Sequence, residues 1–265
     1  MKVLVIGRGR VGRGLHRPPA ARAAIGAAGA GRRWRPDAIA DADVIVIAVP
    51  DDASRSVSEG IAPHLTNETV VLHCAGARGS DELAACEARG AKVGVMHPLV
   101  SFPSVRTTPG LDDTTFVVTG GRAAVRASRA IAAACGARIV VASSGDPAYH
   151  AAAAMAANGA VGLAFASVEV LSRLGFERRA AERAIGGLLR TVGENVQRLG
   201  LPDALTGPVA RAEPATIARH RSGLRRVHRG ALSTYDAVLP VIVRCARAAG
   251  LSKREASAIL DLRSR

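Results

Sequence analysis

Met1-Lys2-Val3-Leu4-Val5-Ile6-Gly7-Arg8-Gly9-Arg10-Val11-Gly12-Arg13-Gly14 opens the chain, and its reading decides the fold. Val3 to Ile6 is an unbroken aliphatic run, the pattern of a strand buried on both faces of a parallel sheet. Gly7-x-Gly9-x-x-Gly12 follows at once and leads into a segment able to start a helix. In a dinucleotide-binding turn each glycine has its own task. Gly7 permits the tight turn, Gly9 lets the backbone approach a pyrophosphate, and Gly12 allows close helix–strand packing. The intervening Arg10 and Val11 belong to the same candidate cofactor loop, with phosphate expected on free N–H groups. The position of the motif, directly after a strand, is the context that gives it meaning.

Working outward, strands and helices alternate. Asp43 to Val49 is the clearest strand and ends in Pro50-Asp51-Asp52. Ligands sit at the carboxyl ends of parallel strands, so Val49, Pro50 and Asp51 are expected to border the cofactor. Further strands are read at Thr69–Cys74, Lys92–Met96, Thr115–Val118 and Arg138–Val141, with helices to about His64 and over Ser80–Arg89 and Arg122–Cys135. A weakly written strand is placed at Ala23–Ala28. This alternation predicts an α/β, doubly wound parallel sheet. Ala75 and Gly76 end one strand and are expected to bind the cofactor as well, and His97 ends another, shortly before Ser101.

Residues 143–145 (SSG) mark the expected boundary between a dinucleotide-binding domain, 1–145, and a helical domain, 146–265. Asp146 is suited to N-cap and Pro147 to first helical residue. Beyond them only helices are read: Pro147–Leu174, Arg178–Leu199, Pro214–Arg229, Ser233–Ala249 and Lys253–Arg263. Ser252 and Glu255 form a capping box for the last. Ala151–Val168 is apolar, rich in alanine and glycine, and carries Asn158; it reads as a buried core helix rather than a membrane span.

Cofactor type follows from what stands about 20 residues past the glycines. An acidic residue there takes the ribose hydroxyls of NAD. This chain has Arg32, Arg33 and Arg35 instead, and its first acid is Asp37. Guanidinium groups suit a 2′-phosphate, which favours NADP(H).

The net charge of +14 does not imply nucleic acid. Lysine occurs only at 2, 92 and 253, so the excess is arginine spread along the chain, and aromatics are 3%. Neither a basic tail nor a stacking surface results. Cys74, Cys86, Cys135 and Cys245 form no CxxC pair, so neither zinc nor a disulfide framework is indicated, and reduced thiols in a cytoplasm fit. No metal site is expected.

Gly7–Gly12, Val49-Pro50-Asp51, His73-Cys74-Ala75-Gly76, His97-Pro98-Leu99, Tyr149-His150, Asn158 and Ala204-Leu205-Thr206-Gly207-Pro208 with Arg211 occur in this order along nearly the whole length. In these motifs the chain resembles a family of Rossmann-like proteins whose C-terminal helical domain has no assigned function. That family is related to ketopantoate reductase, pyrroline-5-carboxylate reductase and the 6-phosphogluconate dehydrogenase group. Two departures stand out: Ala212-Glu213 where the family tends to show Gly-Asp, and Cys74-Ala75 where a hydroxyl residue usually precedes the glycine.

The resemblance implies a 6-phosphogluconate dehydrogenase-like helical domain that carries catalytic and substrate residues and forms a homodimer. It implies an NADP(H)-dependent oxidoreductase acting on a small keto or imino acid, with a ketopantoate-like compound first in line. In the wider group a lysine or similar donor and asparagines on the first helix of the second domain face the nicotinamide. His150 and Asn158 stand there, and eight residues at about 100° each leave them within about 80° of one another. His150 is expected to donate the proton and Asn158 to orient the substrate. Arg211 offers a fork for a carboxylate, while Thr206 and His97 complete the expected substrate set with Ser101. A second reading keeps the fold without catalysis, as a dinucleotide-binding sensor. The lack of lysine between Lys92 and Lys253 keeps that reading open.

Overall fold

A computed structural model describes residues 1–16, 34–104, 109–142 and 146–264. They form two compact units, Met1–Ala154 and Met155–Arg265. The strand suggested at Ala23–Ala28, the arginines Arg32 and Arg33, and the boundary at 143–145 lie outside the described residues.

In the first unit six strands form one sheet in chain order: β1 (Val3–Ile6), β2 (Val44–Ile47), β3 (Val70–His73), β4 (Lys92–Pro98), β5 (Thr115–Gly120) and β6 (Arg138–Val141). Helices α1 (Arg10–His16), α2 (Pro36–Ala40), α3 (Ser54–Ile61), α4 (Ala84–Glu87) and α5 (Arg122–Ala134) accompany them. All four positions of β1, β2 and β3 are buried. Their alternate side chains enter two separate cores. Val3, Val5, Val44, Val46 and Leu72 pack with Ala124, Ala127 and Ile131 of α5. Leu4, Ile6, Ile45, Ile47 and Val71 pack with Val57 and Ile61 of α3. Unbroken apolar strands sandwiched between helices are the physical content of double winding.

The sheet is not parallel throughout. β1 to β4 pair in parallel and so do β5 and β6, but β4 and β5 are antiparallel. Pro98, at the end of β4, pairs with Phe116, at the start of β5. The chain therefore returns at the same end of the sheet, which needs no crossover helix.

The helix α6 (Pro147–Arg173) starts in the first unit and continues into the second, where α7 (Arg178–Leu199), α8 (Pro214–Val227), α9 (Arg229–Ala248) and α10 (Lys253–Leu260) follow. Val209, Ile217, Leu239, Val243, Ala246 and Ile259 form the core of this unit. Buried Arg221 holds both carboxylate oxygens of Asp236 at 2.9 and 3.1 Å and donates to the carbonyl of Leu262, tying α8 to α9 and to the chain end. Ser252 and Glu255 make the capping box of α10.

One expectation fails outright. Ala151–Val168 is not a buried core segment: Val168 is the one buried residue of α6. Met155, Val161 and Phe165 on α6, and Leu188, Val192 and Val196 on α7, are exposed. By length and composition α6 is apolar enough to cross a membrane. Its composition demands cover, and the described residues do not supply it.

Candidate functional site

The carboxyl ends of β1, β2 and β3 open into a crevice of about 690 Å³, within the size range of small-molecule sites. Gly7, Arg8, Gly9, Arg10 and Val11 form one wall; Ala48, Val49, Pro50, Asp51, Asp52, Ala53, Ser56 and Val57 form another, with Trp34 and Cys74 completing the lining.

The three glycines differ in the space around them. Gly7 has φ of +125° and a Cβ there would lie 2.2 Å from the Ala48 carbonyl oxygen. A Cβ on Gly12 would lie 2.2 Å from the carbonyl oxygen of Gly7, so α1 rests directly on the turn. Gly9 is different: the nearest atom to an added Cβ is 3.9 Å away. Its bare backbone faces open space, a cradle that a side chain would fill. Gly12 thus supports the crevice without lining it.

Trp34 packs its indole edge on Gly60 of α3, where an added Cβ would come within 2.7 Å of the ring. Arg10 donates to the carbonyl of Phe102 at 3.0 Å, fastening the loop that carries exposed Ser101 to the glycine loop. Arg35, expected at the ribose, is ion-paired with Asp37 at 3.0 Å. Burial pushes the Cys74 thiol up to about 12, which leaves it protonated and inert as a nucleophile.

Beyond Cys74 the chain builds a second feature. Buried His73 accepts from the Ala75 N–H at 3.1 Å and donates to the Gly79 carbonyl at 2.9 Å. Burial holds this imidazole below its ordinary pKa, against the raising effect of the Gly79 bond. It therefore stays neutral and shapes the 75–79 loop. Ala75 and Gly76 do not line the crevice. Gly76 instead lies under the His97 ring, 2.6 Å from where its Cβ would be.

His97 comes from the end of β4, and two side chains of the first turn of α6 meet it. Asp146 caps that turn, accepting from Ala148 N–H at 2.7 Å. His97 Nδ1 lies 2.7 Å from the Tyr149 hydroxyl, with the rings edge to face. The His97 and His150 ring centroids are 5.8 Å apart. Burial first, then repulsion from His150, pushes His97 down to about 4, while Asp51 opposes the shift. Asp51 lines the crevice, so the cluster and the crevice share an electrostatic environment. His150 Nδ1 is buried and has no hydrogen-bond partner among the described residues.

The candidate residues of the second unit sit differently from expectation. Asn158 is exposed on α6 rather than a buried amide. Thr206 is exposed as well. Arg211 does not present a free fork: its guanidinium holds Glu213 at 2.6 and 3.3 Å. The residue between them, Ala212, has φ of +52°, a left-handed conformation that favours glycine. No group of three metal-ligating side chains occurs among the described residues.

Trp34 and Tyr149 are the contributors that a spacing argument misses. Trp34 is the only tryptophan of the chain, but its place in the crevice depends on contact with α3. Tyr149 stands beside the singled-out His150, and its partner is 52 residues away.

Residues 29–98 match the model of a Rossmann-like domain, and residues 114–239 match the model described as domain of unknown function DUF2520. The chain thus carries a Rossmann-like segment followed by a segment that matches DUF2520. No curated protein matches it. Among solved structures, a protein of Thermotoga maritima superposes with a TM-score of 0.66 at 21% identity, covering 93% of this chain and 98% of that one. A pyrroline-5-carboxylate reductase of Coxiella burnetii gives 0.61 at 15% identity, covering 94% and 98%. A pyrroline carboxylate reductase of Plasmodium falciparum, solved with NADP bound, gives 0.56 at 16%, covering 99% of both chains. At these identities the likeness is one of fold.

Proposed function

We propose that the crevice binds NADP(H) and that the protein is an NADP(H)-dependent reductase of a carbonyl or imine bond in a small keto or imino acid. The observation that carries this reading is the bare Gly9 backbone facing a crevice whose Asp51 acts electrostatically on His97 of the His97–Tyr149–His150 cluster. Fold likeness alone does not assign activity, so the site bears the argument.

The residues present fit the group. Gly7, Gly9, Arg10 and Val11 suit a pyrophosphate, whose close approach needs a backbone without Cβ. Val49, Pro50 and Asp51 suit the ribose at the strand end, and Trp34 gives an apolar platform for a base. Arg32 and Arg33 are proposed to take the 2′-phosphate. When bound, the reduced nicotinamide supplies a hydride. The chain's own contribution is to orient the acceptor and deliver a proton from the cluster.

The names of similar structures support reduction of imines as much as of ketones: they include a pyrroline-5-carboxylate reductase, an imine reductase of Streptomyces aurantiacus and a reductive aminase of Aspergillus terreus. A ketopantoate-like acid enters by family kinship. The exposed apolar faces of α6 and α7 are proposed to be covered by a second copy of the chain.

Calorimetric titration with NADPH and NADH, followed by NADPH oxidation against 2-keto acids and cyclic imines, tests the reading. Micromolar NADPH binding with turnover of one class supports it. Absence of dinucleotide binding overturns it, and binding without turnover of either class favours the sensor alternative.

A further inference from the structure

We propose that Tyr149 is the proton donor of the reduction and that His97 is the positioning residue that holds its hydroxyl. This rests on the reductase reading above and moves the donor role away from His150.

The hydroxyl of Tyr149 is fixed rather than free. It lies 2.7 Å from His97 Nδ1, and His97 itself has little room to turn, its ring seated on Gly76 and flanked by His150. With Nδ1 protonated, the imidazole donates to the phenol oxygen, so the phenol proton points away from His97 and is available to a ligand. The same bond strengthens when the oxygen becomes an anion, because hydrogen bonds to charged acceptors are the stronger ones.

The helix end bears on Tyr149, beside His150. Both sit in the first turn of α6, which runs for 27 residues. The positive end of a long helix favours an anion and disfavours a cation. The helix end thus favours the tyrosinate left by proton donation, against burial, which holds the Tyr149 hydroxyl above its ordinary pKa. The charged and titratable groups around the pair are His150, Asp51 and His73. His97, pushed down to about 4, remains neutral at physiological pH, and in its Nδ1–H tautomer it is a neutral hydrogen-bond donor.

The step balances simply. As hydride reaches the carbon of the C=O or C=N bond, its oxygen or nitrogen takes the electron pair of the broken π bond. The Tyr149 O–H bond breaks, and its proton forms the new O–H or N–H bond. The tyrosinate, held by His97 Nδ1–H, recovers a proton from solvent.

Because the chain has two tyrosines, a Tyr235→Phe background isolates Tyr149 in a spectrophotometric alkaline titration without cofactor. His97→Asn is expected to raise the Tyr149 midpoint by about 1–2 pH units, the loss of one hydrogen bond to a charged group. Reciprocally, Tyr149→Phe is expected to shift the His97 titration measured by NMR, a readout that serves if His97→Asn folds poorly. With NADPH and a turned-over imine or keto acid, Tyr149→Phe is expected to lower kcat by about 10²–10⁴-fold while NADPH affinity stays unchanged. His97→Asn is expected to displace the kcat–pH profile in the direction of the Tyr149 midpoint.

Unmoved midpoints in both variants, or near-wild-type turnover in folded Tyr149→Phe, overturn this proposal while leaving the reductase reading standing. A wild-type chain that binds no NADPH overturns both.

Discussion

Gly9→Val separates binding from folding. An added Cβ at Gly9 finds its nearest neighbour, the Ala48 carbonyl oxygen, at 3.9 Å, an ordinary contact, and the backbone there is outside the left-handed region. Folding should therefore change by no more than about 1 kcal/mol, with reduced unfolded-state freedom acting in the stabilising direction. The bound state is another matter. A branched side chain occupies the space through which a pyrophosphate reaches the glycine-loop N–H groups. Losing two hydrogen bonds to a charged group, at about 1.5–3 kcal/mol each, amounts to about 3–6 kcal/mol, or roughly 10²–10⁴-fold in affinity. Gly12→Ala is the contrasting control. Its Cβ would meet the Gly7 carbonyl oxygen at 2.2 Å, so the backbone must move and stability falls, by about 1–3 kcal/mol for an overpacked position. Circular dichroism melting and calorimetric titration with NADPH measure the two effects. A folded Gly9→Val protein that binds NADPH within about tenfold of wild type refutes the assignment of Gly9 to the pyrophosphate.

Three further outcomes follow from other parts of the molecule. The apolar faces of α6 and α7 predict a homodimer; a monomer at micromolar concentration by light scattering contradicts this. His97, neutral in the folded protein down to about 4 against an ordinary 6.5, contributes to stability that is complete above 6.5. That contribution is lost as pH falls towards 4, because the unfolded chain takes up the proton first. Urea titrations across that window should show His97→Asn with a shallower decline than wild type, and identical slopes refute the argument. Ala212→Gly relieves a left-handed alanine costing about 1–2 kcal/mol, partly offset by the greater unfolded freedom of glycine. It should raise the melting temperature by roughly 2–4 °C per kcal/mol gained, and a lower value contradicts the strain.

Much of the first unit is legible in the sequence because its signals are local. Val3–Ile6 and Val44–Ile47 are apolar at every position, and a strand with no polar face must be covered on both. Asp146-Pro147 and Ser252-Glu255 carry their cap chemistry within a few residues. Strand direction is not local: nothing in Thr115–Gly120 distinguishes a parallel from an antiparallel partner, and the pairing of Pro98 with Phe116 depends on the path between them. The exposure of α6 is hidden for a related reason. Apolar composition tells that Ala151–Val168 wants burial, but not whether its cover comes from the same chain. At the site, the roles of Gly7 and Gly12 are read from spacing, while Tyr149 becomes visible only when folding brings β4 to the first turn of α6. Arg211 illustrates the opposite error. A free guanidinium was expected, although a carboxylate stands two residues on, close enough to capture it.

Trp34 provides the most direct test of the central claim that the crevice holds NADP(H). It is the sole tryptophan of the chain and lines the crevice, so intrinsic emission reports on that place alone. Titration of wild-type protein with NADPH is predicted to quench Trp34 saturably, with sensitised emission from the reduced nicotinamide, at lower concentrations than NADH requires. Trp34 emission that stays unchanged through millimolar NADPH contradicts the account.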